Sequence, residues 1–406
     1  MTQYPTPPEQ DETRWFAQLL GLDFLLWTPT VQAEGFLNWE RIFATRKIAA
    51  KSPIPLPQSS EDLDIRYEYL GIEKNIDDFI RDEHLSGLLV LHDGRILLEK
   101  YALGLTPART WQSSSVVKSL TSILFGIALR DGYIKSFDDA VTDHLPELQG
   151  SVYEGVTIRH LLTMTGGLLF NEDYEDLRSD VNKKYWEHIA FRRPGAILED
   201  LKTLERIHAP GEYFAYNTGD VYLLSHILSR AVNMTPADYC TQRLWGPMGM
   251  ELDGFFTLDA DDGHEVTGSC AGFSLRDYGR LGLLMQRDGI ALNGERLLPE
   301  GFVKEATTPI SPNFEFPLWA DPDHQFEGYG YLWWVIRQNS FTALGVYGQW
   351  IHVEPESNLV VVMIGAVPRP GYMDPDEPVA QAEGNQHGSP ARLFFVDAVK
   401  KLIGTQ

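Results

Sequence analysis

Two β-hairpin patterns stand far apart in this chain, so a sheet that uses both must be assembled from its two ends. The first pairs the apolar runs 88–91 and 96–98 around His92-Asp93-Gly94-Arg95. An Asp-Gly pair between apolar runs is a strong hairpin signal, because both residues accept the left-handed backbone of a tight turn. The second pairs 350–353 with 359–364 around Glu354-Pro355-Glu356-Ser357-Asn358. Between them, from 135 to about 310, helical spacing dominates, for example over 158–164, 221–232 and 275–288. The simplest assembly is an α+β fold: one antiparallel sheet from N- and C-terminal strands, flanked by helices, with a mostly helical region inserted. The expected division is an arm over 1–65, an α/β domain over 66–134 and 325–406, and a helical domain over 135–324.

The segment 1–65 is read as an ordered arm wrapping the body, because Trp15, Phe16, Phe24, Trp27, Phe36 and Trp39 are too many aromatics for a disordered tail. Alternate prolines at 53, 55 and 57 rule out a helix there. A helix is expected over 116–134, where Val117, Leu120, Leu124, Ile127 and Ala128 share a face and Gly132 supplies a stop. Pro390 stands at the first position of an amphipathic stretch over 391–403.

Lys and Arg number 34 against 57 Asp and Glu, a formal net charge of −23. Such a field repels polyanions, which argues against nucleic acid or an anionic membrane as partner. No apolar run reaches the length of a membrane span, and the N-terminus lacks the basic and apolar regions of an export signal. A cytoplasmic protein is expected, with oligomeric state open. Cys240 and Cys270 form no CxxC; unpaired thiols in the core are favoured, and a single bridge stays open.

The chemistry concentrates at Ser115-Val116-Val117-Lys118. A spacing of three residues puts both side chains on one helical face. A serine at a helix start has free backbone N–H groups beside it for an oxyanion. The lysine eases deprotonation of the hydroxyl if desolvation depresses its own pKa. The tetrapeptide alone also arises by chance, so support must come from elsewhere.

That support is Tyr216-Asn217-Thr218, within a stretch running from Pro210 to Asp220. With it the chain resembles the serine β-lactamase/penicillin-binding-protein superfamily, in the class C-like branch that includes esterases and 6-aminohexanoate-dimer hydrolases. Ser115 and Lys118 match the family's Ser-x-x-Lys, and Tyr216 falls where the family has its catalytic tyrosine. The stretches 157–168 and 270–280 are also family-like. The resemblance covers about residue 70 to the C-terminus. It implies a β-lactamase/transpeptidase-like fold and an acyl-enzyme mechanism without metal or cofactor. Ser115 attacks, Lys118 and Tyr216 share its proton, and Tyr216 protonates the leaving group. An unperturbed tyrosine titrates near 10, so a nearby ammonium is needed to make Tyr216 useful at neutral pH.

The third motif maps to Ala343-Leu344-Gly345, where the basic residue is absent and the glycine is kept. By the resemblance, Val346 supplies the second oxyanion N–H, Tyr174 is a mobile lid residue reaching the substrate, and Thr218, a substrate-binding candidate, stands where the family has the Asn that grips a β-lactam, so that grip is lost. The missing cation argues against efficient β-lactamase action and for a small ester or linear amide substrate. An acyltransferase using the same acyl-enzyme, and a non-catalytic ligand-binding protein on the same fold, are the rival readings.

Other signals are discounted. Ser311-Pro312-Asn313 matches Ser-x-Asn by chance in a Pro-rich loop, and His264-Glu265 lacks the second histidine of a zinc-protease pattern. Glu172, Asp173, Glu175 and Asp176 read first as a solvated acidic loop that could also border the pocket. Trp333 and Trp334 are evenly balanced between pocket wall and core.

Overall fold

The structure is a computed structural model that describes residues 24–59, 64–174, 176–310, 326–336, 339–368 and 391–404. Asp93 and Gly94 have φ of 49° and 74°, the paired positive values whose twist matches a two-residue hairpin. They join Leu85–His92 to Arg95–Tyr101. The second hairpin joins Gln349–Glu354 to Leu359–Gly365, with Asn358 at φ 50° completing the turn. The two hairpins meet in one seven-stranded antiparallel sheet, where Leu359 lies opposite His92. Beyond Gln349–Glu354 the sheet continues through Phe341–Gly345, Trp334–Ile336 and Phe326–Tyr329.

The Leu359–Gly365 strand is buried along its whole length, as a strand covered on both faces must be. The Leu275–Gln286 helix packs on it. A Cβ on Gly282 of that helix would stand 2.5 Å from Val360 Cγ1, so the glycine sets how closely helix and sheet approach. The C-terminal helix, Ala391–Gly404, is fixed by Phe395 stacked on Phe79 at 4.3 Å and by Arg392, which donates to Glu83 at 2.8 Å.

The Val116–Arg130 helix is buried at every position from 116 to 128. It is an interior helix, and its buried Lys118, Ser119 and Thr121 are hydrogen-bonded there. It runs between the Phe341–Gly345 strand and the Thr218–Val232 helix. The chain turns away just beyond it, with Gly132 at φ 78° as the expected stop.

One feature departs from the sequence reading. Gly254–Thr257 and Gly272–Phe273, inside the span read as helical, form a second sheet with Trp111–Gln112 and Thr45–Ile48. Strands of two to four residues are too short to leave a period in the sequence. The arm thereby contributes a strand, and two helices over Pro29–Leu37 and Trp39–Ile42 precede it. Phe24, Trp27, Phe36 and Trp39 are buried, whereas Trp15 and Phe16 lie outside the described residues. Residues 52–59 form no helix, in keeping with their prolines. Among the described residues no helix is long and apolar enough to cross a membrane.

Candidate active site

Ser115 caps the Val116–Arg130 helix at its N-terminus. The turn that delivers it is held open against its own preference, since Ser114 sits at φ 43°, a conformation costing a non-glycine residue about 1 kcal/mol. Neighbours supply the restraint. The Gln112 side chain accepts from Ser114 N at 2.6 Å, Ala271 O accepts from Ser113 N at 2.7 Å, and Ser114 O accepts from Cys270 N at 3.0 Å. Gly345, at the end of the sheet strand, is pressed against this turn: a Cβ there would lie 2.7 Å from Ser113 O and 3.0 Å from Ser115 N. Val346 follows at once and is buried. Gln349 braces the turn beyond it, donating to Val346 O, Tyr347 O and Gly365 O at 3.3, 2.9 and 2.9 Å.

Lys118, one turn into the helix, is 1% exposed. Its Nζ lies 2.8 Å from Ser115 Oγ, 3.0 Å from Thr218 Oγ1 and 2.6 Å from Gly268 O. Burial pulls its pKa from 10.5 down to about 8, against the opposing pull of the Glu172 carboxylate. The amine is thus neutral in a substantial fraction of molecules at mildly alkaline pH.

Tyr216 immediately precedes the Thr218–Val232 helix, whose N-cap Asn217 accepts from Asp220 N at 3.2 Å. Asn217 N also donates to Met164 Sδ at 3.4 Å, just beyond the Ile158–Leu162 helix in the family-like stretch. The Tyr216 ring stacks on Trp334 at 5.7 Å and 16°, with Tyr329 edge-on at 6.2 Å, and Lys118 Nζ lies 4.9 Å from its centroid. Burial, with Glu172 second, raises the pKa of its hydroxyl above 10, with Ser115 opposing. This corrects the sequence expectation that a neighbouring ammonium makes the phenol acidic. A phenol shifted in this direction keeps its proton at neutral pH.

Glu172 is the site residue that sequence reasoning underrated. Its carboxylate accepts from Thr218 N at 3.1 Å, from the Thr218 hydroxyl, and from Tyr174 Oη at 2.9 Å. Burial raises its pKa, with Lys118 and these donors opposing. Asp173 is exposed, Asp176 half-buried, and Glu175 lies outside the described residues. Glu172 is half-buried and turned toward Thr218. Thr218 is likewise turned inward, its hydroxyl between Lys118 Nζ and the Glu172 carboxylate.

The two tryptophans divide the roles held open for them. Trp334 walls the site on Tyr216, and Trp333, 1% exposed, packs edge-on to Phe341 in the core. Cys240 and Cys270 are both buried and unpaired. His264 stacks on His226 at 3.6 Å. Among the described residues no group of three His, Cys, Asp or Glu is placed to hold a metal ion. Ser311 and Asn313 lie outside the described residues.

Residues 72–385 match the family model described as Beta-lactamase. The chain belongs to the β-lactamase family. This family member is 28% identical over 300 residues to the 6-aminohexanoate-dimer hydrolase of Paenarthrobacter ureafaciens, covering 70% of this chain and 73% of that one. Among solved structures it resembles a Bacillus anthracis protein provisionally named a 6-aminohexanoate-dimer hydrolase. There the TM-score is 0.74 at 17% identity, over 92% of this chain and 94% of that one. It also resembles EstCE1, described as a hydrolase with promiscuous acyltransferase activity, with a TM-score of 0.59 at 15% identity over 79% and 96% of the two chains. Both structural likenesses speak for the fold alone. Family and curated relative together place this β-lactamase-family chain among hydrolases.

Proposed function

We propose that the protein is a serine hydrolase cleaving a small ester or linear amide through an acyl-serine intermediate. The observation that carries this reading is the Lys118 amine, desolvated and 2.8 Å from Ser115 Oγ at a helix N-terminus.

Ser115 Oγ forms a bond to the substrate carbonyl carbon while its proton passes to neutral Lys118. The carbonyl oxygen becomes an oxyanion, for which the backbone N–H groups of Ser115 and Val346 are the donors. As the tetrahedral centre collapses, the bond to the leaving oxygen or nitrogen breaks and Tyr216 gives that atom its proton. Lys118 returns a proton to Tyr216. Water then adds to the acyl carbon, losing its proton to the same pair, and as the Ser115–acyl bond breaks the pair returns that proton to Ser115 Oγ and the acid is released.

Tyr216, Trp334 and Tyr329 present aromatic surface beside the nucleophile, which suits an apolar group on the substrate. Ala343, buried in the strand opposite Ile351, offers no charge to a β-lactam carboxylate, so esters and linear amides are preferred to β-lactams. The likeness to EstCE1 favours one second reading, transfer of the acyl group to an alcohol or amine in place of water.

Turnover of p-nitrophenyl esters and short linear amides, with and without added alcohol or amine, tests both readings. The hydrolase reading expects ester turnover that drops on the order of 10⁴-fold or more in Ser115→Ala. Transfer product outpacing free acid would favour the acyltransferase, and full turnover by Ser115→Ala would refute the site.

A further inference from the structure

The contacts of Lys118 are with one group that only accepts and two that both accept and donate. The Gly268 carbonyl, 2.6 Å from Nζ, has no proton to give. The hydroxyls of Thr218 and Ser115, at 3.0 and 2.8 Å, each have one. A neutral amine carries two N–H donors and one lone pair. Which hydroxyl faces the lone pair decides whether Lys118 is a base toward Ser115.

We propose that Glu172 is a positioning residue that aims the Lys118 lone pair at Ser115 through the Thr218 hydroxyl. The inference rests on the Ser115/Lys118 reading above and adds to it a group with no contact to the reacting atoms. The Glu172 carboxylate accepts the hydrogen bond of the Thr218 hydroxyl and is held in place by Thr218 N and Tyr174 Oη. With its proton committed, Thr218 Oγ1 has only lone pairs to offer Lys118. Both amine N–H bonds are then spent, on Thr218 Oγ1 and Gly268 O, and the lone pair remains for the Ser115 hydroxyl. When Ser115 gives up its proton, the ammonium that forms is joined to the carboxylate through one hydroxyl. No proton leaves Glu172.

The Gly268 carbonyl is placed for this geometry. Thr121 Oγ1 donates to Thr267 O at 3.0 Å and Ser225 Oγ to Glu265 O at 2.7 Å, fixing the loop. A Cβ on Gly268 would lie 2.9 Å from Thr218 O. Besides Glu172, Lys118 is faced by Cys270 and the Tyr216 ring. Besides Lys118, Glu172 is faced by Tyr174, Tyr185, Tyr216, Asp220 and Tyr329. Of these, Glu172 reaches Lys118 through the Thr218 hydroxyl.

The test is the rate at which a fluorophosphonate labels the full chain, followed against pH for wild type, Glu172→Gln, Thr218→Val, Thr218→Ser and Ser115→Ala. Glutamine keeps the shape and removes the charge that holds a proton on Lys118. The acid limb of the profile is expected to move to lower pH by on the order of one unit, with the plateau rate reduced about tenfold. Thr218→Val is expected to lose a similar part of the plateau, and Thr218→Ser to recover it. An unmoved acid limb in Glu172→Gln overturns the proposal, whatever its plateau. So does a Thr218→Val protein that labels as fast as wild type, or a Thr218→Ser protein as slow as the valine variant. These last two outcomes decide the matter even if Glu172→Gln fails to fold. Ser115→Ala labelled at the wild-type rate would instead refute the serine reading itself.

Discussion

Tyr216 and Trp334 lie face to face, their ring centroids 5.7 Å apart and their planes 16° from parallel. Trp334 stands on the sheet, at the start of Trp334–Ile336, and Tyr216 stands just ahead of the Thr218–Val232 helix. The stack therefore ties the phenol proposed as proton donor to the sheet whose neighbouring strand carries Gly345. Tyr216 has little freedom to leave Ser115.

Trp334→Ala should loosen that phenol. Turnover of a p-nitrophenyl ester is expected to fall tenfold or more, since small misplacements of an acid are costly, and stability by about 3–5 kcal/mol for a deleted buried aromatic. Trp334→Phe keeps a ring for the stack and should retain most of both. Steady-state kinetics and chemical denaturation of the two variants check this.

Gly345→Ala should cost activity more than stability. The added methyl meets Ser113 O at 2.7 Å and Ser114 Cβ at 2.9 Å, backbone and short side chain that cannot swing away. Relief requires the strand end and the Ser115 turn to part, which moves both proposed oxyanion donors. A loss of about 10²-fold in kcat against about 1–3 kcal/mol in stability is expected from kinetics and thermal unfolding.

Lys118 is buried at a thermodynamic cost. Moving its pKa from 10.5 to about 8 corresponds to about 3 kcal/mol against the charged form. The unfolded chain holds this proton up to the higher value, so the contribution to stability is fully present above about 10.5 and is lost as pH falls toward about 8. Lys118→Met should therefore be inactive yet no less stable than wild type at neutral pH. Melting temperatures across the alkaline range check the sign, and the variant should lose the wild-type rise.

The His226–His264 stack should make the fold acid-labile. Burial pushes His226 from 6.5 down to about 2, with His264 and Arg230 adding to it, and burial lowers His264 as well, against Glu265 and Asp259. The unfolded chain binds a proton near 6.5 that the folded one refuses. Stability is therefore complete above that pH and falls as pH drops through the window toward about 2, by up to about 1.4 kcal/mol per pH unit for one histidine. His226→Phe should flatten the slope in denaturation measured across acid pH.

Much of this was legible in the sequence, for local reasons. Ser115 and Lys118 are three residues apart on one helix, and Asp93-Gly94 forces its own turn, so both signals survive without tertiary context. What escaped depends on distant contacts. Glu172 sits in a run of carboxylates that looks solvated, and only the packing of its loop against the Thr218–Val232 helix turns it inward. The raised pKa of Tyr216 comes from burial among residues far apart in the chain. The second sheet joins Thr45–Ile48 to Gly254–Thr257, two short segments with no periodicity of their own.

The most direct measurement is the intact mass of the protein, with peptide mapping, during turnover of a p-nitrophenyl ester. The account predicts one added acyl group, located on Ser115 and absent from Ser115→Ala. Sustained turnover with no acylated protein, or an acyl group on any other residue, would contradict it.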